Sequence, residues 1–150
     1  MVVFPSLRVP RKYYQFAIVV SLGVWIASNF VSCAQVVEAS RYAPHSVEVM
    51  HGSRLTALGW LGPFALSFAW YANIPYFYCT GKLFRGHASW RIALIAFTLA
   101  LTALLPHAIY SEVDGWHRAH IVGPALWLWF CSFAINLALA GLSFSEGRAL

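Results

Sequence analysis

IVGPALWLWFCSFAINLALAGLSF, residues 121–144, runs without a single Asp, Glu, Lys or Arg. Wound as an α-helix, a segment of that length crosses the ~30 Å hydrocarbon layer of a bilayer. Three further stretches share the property, residues 15–37, 55–79 and 92–110. Each is about 19 to 25 residues, close to the ~20 that one membrane-spanning helix requires. Four such segments in 150 residues leave three short connections and two short tails, with no room for a separate soluble domain. The expectation is one all-α domain over residues 1–150, an integral membrane four-helix antiparallel bundle.

Composition agrees. Hydrophobic residues make up 60% of the chain and charged residues 10%, against about 25% charged in soluble domains. The formal net charge is +5, but no segment is both basic and long enough to track a phosphate backbone, so nucleic acid is excluded as a partner. The cations sit at segment ends instead. Arg8, Arg11 and Lys12 precede the first segment, Lys82, Arg85 and Arg91 separate the second and third, and Arg148 follows the fourth. The alternate connections hold only Arg41, Arg54 and Arg118. Seven against three is a positive-inside bias, which predicts both termini in the cytoplasm of a bacterial-type plasma (inner) membrane. Attraction to anionic headgroups fits the same distribution. The first segment is longer than the 7–15-residue apolar core of a signal peptide and is interrupted by Trp25 and Asn29, so it is read as a retained span.

Within the segments, polar residues carry the packing signal. Ser21, Asn29, Asn73, Ser132 and Asn136 interrupt apolar runs, and an unpaired amide in hydrocarbon costs several kcal/mol. They are expected to point inward and bond across helices. Ser132, Asn136, Ala140 and Ser143 follow helical spacing and make one small, polar face suited to close helix approach. Pro63 and Pro75 in the second segment each remove a backbone donor and predict kinks, tolerable only where protein or water satisfies the freed carbonyls. Trp60, Trp90, Trp116 and the Tyr13-Tyr14 pair fall near segment ends, as an interfacial aromatic belt does, while Trp70, Trp127 and Trp129 lie deeper and read as packing.

Chemistry-bearing residues gather in the outward connections. Glu112, Asp114, His117 and His120 lie in the third and His51 in the first, a donor set suited to Zn or Cu. The His117-x-x-His120 spacing places both rings on one side if the segment is a helical turn. No HExxH, GxSxG, P-loop or GxGxxG pattern is present, and no carboxylate lies inside a span. Cys33, Cys79 and Cys131 fall at different depths and do not suit a disulfide. The sequence therefore points to a protein that works through helix–helix or partner contacts, without catalysis or cofactor of its own: an accessory subunit or an immunity-like protective protein. Its partners would be the lipid bilayer and another membrane protein or a second copy. One alternative is a membrane redox or metal-handling protein built on the outer His and acid residues. The other is a small oligomeric transporter or channel using the kinked second segment.

Overall fold

Twenty residues, Arg11–Phe30, wind into helix α1, and the helix stops although the apolar run does not. The computed structural model describes residues 11–37, 46–58, 68–87, 89–111 and 115–145. Ser32–Val37 continues from α1 as strand β1 and pairs antiparallel with β2 (Ser46–His51). Helix α2 (Gly52–Leu58) follows directly. A 3₁₀ turn at Ala69–Ala72 leads into α3 (Asn73–Phe84), and α4 (Trp90–Leu101) ends in a second 3₁₀ turn, Thr102–Leu104. Strands β3 (His107–Ser111) and β4 (Gly115–Val122) then precede α5 (Pro124–Ser145). The described chain is mostly helical, with one four-stranded sheet in the order β2-β1-β4-β3.

The sheet corrects the all-α expectation. Residues 32–37, 107–110 and 121–122 were expected in helical spans and are strands instead. A continuous apolar run does not distinguish strand from helix end, and Val36, Val37, Ile121 and Val122 are β-branched residues that favour extended backbone. The helices shorten accordingly. Two, over Lys12–Phe30 and Pro124–Ser143, are long and apolar enough to cross a membrane on their own. The twelve residues of α3 and the twelve of α4, even with their 3₁₀ turns, fall short of that length. Pro75 does not sit mid-span. It is the third residue of α3, in the first turn, where a missing N–H costs little. Its missing donor coincides with the passage from 3₁₀ to α geometry. Pro63 lies outside the described residues.

Connectivity assigns the two poles. α1 runs into β1, α2 leaves β2, α4 leads to β3, and β4 leads to α5, so the sheet caps one end of the helices. The first and third connections thus supply one sheet through the β1–β4 pairing. The α3–α4 turn closes the opposite pole, together with the start of α1 and the end of α5. There His87 N–H donates to the Lys82 carbonyl (2.9 Å) and Gly86 N–H to that of Leu83 (3.0 Å), a Schellman closure around Gly86 at φ 82°.

Two glycines hold the sheet against the helices. Gly123, at φ 125°, joins β4 to α5, and a Cβ there would meet the Cys33 Cα at 3.1 Å. Gly52 joins β2 to α2 where the end of α1 crosses it. A Cβ at Gly52 would lie on the Ser28 carbonyl oxygen, and its N–H donates to the Val31 carbonyl (3.1 Å). Beneath the sheet, Cys33 and Ala125 are buried with Val31 and Ile121 packed on them.

Candidate interaction site

The helices bury a set of polar side chains within an apolar core and expose large apolar side chains on the outside. α1, α3 and α5 bury Ser21, Ser28, Asn73, Thr80, Ser132, Asn136 and Ser143, while Phe16, Val19, Ile26, Phe30, Ile74, Phe77, Leu94 and Ile95 point outward. Only 22% of the apolar window of α1 and 44% of that of α5 is buried, whereas the core helix of a water-soluble protein is mostly buried.

The buried polar groups form a spine in three layers. Nearest the sheet, Asn73 Oδ1 accepts from two indoles, Trp25 Nε1 at 3.0 Å and Trp129 Nε1 at 3.1 Å, which ties α1, α3 and α5 together at one atom. One turn further, Ser21 Oγ donates to the Ser132 carbonyl (2.9 Å), which leaves the Tyr76 hydroxyl to donate to Ser21 Oγ (2.9 Å). Below that, Asn136 Nδ2 donates to Thr80 Oγ1 (2.6 Å), and Thr80 passes its own proton to the Tyr76 carbonyl (2.8 Å). Asn73 with Trp129 and Thr80 with Asn136 share one offset of 56 residues, the mark of two helices running parallel in fixed register. Aromatic rings pack beside these layers: the Tyr76 and Phe133 rings lie 4.7 Å apart and those of Trp129 and Phe133 4.6 Å apart, both pairs tilted. Asn136 Oδ1 is buried without a hydrogen-bond partner among the described residues. Asn29 belongs to a separate bridge near the sheet, accepting from Thr56 Oγ1 (2.6 Å) and donating to the Trp25 carbonyl (2.9 Å). Helix α4 and the 3₁₀ turn after it enter this packing through Ala93, Ala96, Ala100 and Ala103, small buried residues that permit close approach.

Sequence spacing held a signal for the spine that polarity alone did not give. Asn73-x-x-Tyr76-x-x-x-Thr80 and Trp129-x-x-Ser132-x-x-x-Asn136 repeat the same three-then-four step. Trp25, Tyr76, Thr80 and Trp129 were missed because an indole or phenol in an apolar run reads as bulk rather than as a donor.

The sheet has one face on the helices and one away from them. Cys33, Ala119 and Ile121 alternate onto the inner face, with Cys33 and Ala119 buried. Burial pushes the Cys33 thiol above its ordinary pKa and keeps it protonated at neutral pH. None of the three cysteines forms a disulfide. On the outer face, the register aligns Val49, Ala34 and Val122 in one row and Val47, Val36 and His120 in the next. Val47 is 63% exposed, Val49 70% and Val122 42%. Among the described residues β2 is also an edge strand of the sheet.

The proposed metal donors fall differently. Glu112 and Asp114 lie outside the described residues. His117 and His120 are positions of β4, not of a helical turn, and strand positions three apart alternate faces, so the helical argument for that pair does not apply. His51 ends β2 opposite Ser32, while His120 pairs with Val36 on the far side of β1. Strand arithmetic separates those two backbones by about 16 Å. Among the described residues no group of three or more His, Cys, Asp or Glu is placed to hold a metal ion.

No protein-family model, curated protein or solved structure matches this chain.

Proposed function

We propose that this chain is a small multi-pass membrane protein that acts through contacts, as an accessory subunit or protective partner, and that its partner docks on the outer face of the sheet. The observation carrying the membrane reading is the apolar outer surface of the helices, with Phe16, Val19, Ile26, Phe30, Ile74, Phe77, Leu94 and Ile95 exposed around a core whose buried amides and hydroxyls bond between helices. In hydrocarbon, apolar surface gains nothing by burial, and interior packing relies on small residues and interhelical hydrogen bonds. The helices that do not span by themselves would complete four crossings together with the adjoining turns and apolar segments.

Charge supports the orientation. Lys12, Lys82, Arg85 and Arg91 lie at the turn pole, and in sequence Arg8 precedes α1, Arg11 opens it, and Glu146 and Arg148 follow α5. The segments of the sheet pole hold three Arg against Glu38, Glu48, Glu112 and Asp114. The turn pole and both termini then face the cytoplasm of a plasma (inner) membrane, and the sheet faces outward. The partner is another membrane protein or a second copy, meeting the valine rows of β2 and β4.

A photo-reactive residue replacing Val49 tests the docking face in native membranes. The expected result is one discrete crosslinked species, whose yield falls at least about tenfold when Val122→Asp is added, because a carboxylate in an apolar contact costs more than the ~1.4 kcal/mol that a factor of ten represents. A crosslink pattern spread over many species, or one indifferent to Val122→Asp, contradicts the proposal.

A further inference from the structure

At the turn pole the outward apolar surface stops and a cationic collar begins. Lys12, Arg85, His87 and Arg91 are exposed there and Lys82 is half-buried. The antiparallel pairing of α1 with α3, seen where Trp25 meets Asn73 and Ser21 meets Tyr76, brings the start of α1 beside the end of α3 and so gathers these cations at one level. Residues 49–111 contain no carboxylate, and neither do residues 11–37. The described helices of this pole therefore offer their cations no internal counter-charge. Two of the cations rest on tyrosines: Lys12 Nζ lies 5.2 Å from the Tyr13 ring and Lys82 Nζ 5.3 Å from the Tyr78 ring. Both rings are more than half exposed, as is Phe16 one turn along α1, and Phe77 beside Tyr78 in sequence is exposed too. An amphipathic ring with an ammonium above it and apolar side chains below suits the boundary between hydrocarbon and headgroups.

We propose that this collar binds the phosphates of anionic phospholipids, selecting them over zwitterionic lipids in the surrounding leaflet. Lys82, Arg85 and Arg91 supply the charge, and Tyr13 and Tyr78 set the depth. Complementarity decides the occupant: a set of cations at headgroup level, with no carboxylate on the described helices beside it and an apolar surface beneath it, meets a layer of phosphates there. The inference rests on the membrane reading, and its test separates the two.

The protein is reconstituted into phosphatidylcholine nanodiscs with and without one-fifth phosphatidylglycerol, and co-retained lipids are counted by native mass spectrometry. Failure to enter either disc would overturn the membrane reading itself. With insertion in both, the phosphatidylglycerol-to-phosphatidylcholine ratio on the protein is expected to exceed that of the disc roughly fivefold, since each cation near an anionic surface contributes on the order of a fivefold preference. Lys82→Gln/Arg85→Gln/Arg91→Gln should bring the enrichment close to one, while Arg85→Lys/Arg91→Lys, which keeps the charge, should retain it. Equal retention of the two lipids by the unaltered protein, or enrichment unchanged in the triple Gln variant, overturns the inference. So does displacement of the bound lipid by soluble polyglutamate at low concentration, which would assign the collar to an acidic protein partner.

Discussion

Gly52→Ala should prevent the protein from reaching its native fold. The added Cβ would lie on the Ser28 carbonyl oxygen, which is backbone at the end of α1 and has no flexible side chain to yield. Relief requires α1 and the β2–α2 junction to separate. That motion breaks the Gly52 N–H bond to Val31 and pulls on the Thr56–Asn29 bridge one turn along. Overpacking of a well-packed site costs about 1–3 kcal/mol, and more where backbone must move. With total stabilities of about 5–15 kcal/mol, loss of most folded material is the expected outcome. The matched control is Gly23→Ala on α1, where nothing lies within 4 Å of the new methyl. Replacing a helical Gly by Ala favours the helix by up to about 1 kcal/mol. Monodisperse yield in detergent and thermal unfolding read both variants. Equal yields for the two would contradict the packing described for the α1–β2 junction.

Asn73→Leu should be the next most damaging change. It preserves approximate volume but removes the acceptor shared by Trp25 and Trp129, leaving two indole N–H groups in the interior with nothing to bond. Bonds of this kind within membrane proteins are worth about 0.6–2 kcal/mol each. The pair therefore predicts a loss of roughly 1–4 kcal/mol, together with a change in tryptophan emission as two of the seven indoles lose their partner. Trp25→Phe or Trp129→Phe alone should cost less, because Asn73 keeps one donor. Unfolding of Asn73→Leu indistinguishable from that of the unaltered protein would show that the spine does not hold the three helices together.

The helices were legible because an uncharged run of about 20 residues has few other structural solutions. Their ends were not. Nothing in Val36-Val37 or Ile121-Val122 announces the change from helix to strand, since apolar content is the same on both sides of it. The β1–β4 pairing joins residues more than 80 positions apart, and no local pattern encodes it. The helical-turn argument for His117 and His120 does not apply for the same reason, because the segment that holds them is extended. In the interior, Ser21, Asn29, Asn73, Ser132 and Asn136 stood out because a polar group among apolar neighbours requires a partner. Which partner each one has depends on helix register, which the 56-residue offset records and a single helix does not reveal. The outer valine rows were missed for a related reason. Val47-Glu48-Val49 alternates as a strand does, but three residues are too few to establish a period.

The central claim is that the outward surface of the helices faces hydrocarbon, and Cys131 reports on it most directly. It is exposed on α5, on the wall of a wholly apolar groove of about 210 Å³ shared with Phe97, Leu101 and Trp127. With Cys33→Ala and Cys79→Ala in place, a nitroxide attached to Cys131 of the bilayer-reconstituted protein can be challenged with dissolved oxygen and with a water-soluble nickel chelate. Frequent collisions with oxygen and rare collisions with nickel are the expected result. Frequent collisions with nickel would place this surface in water and contradict the account.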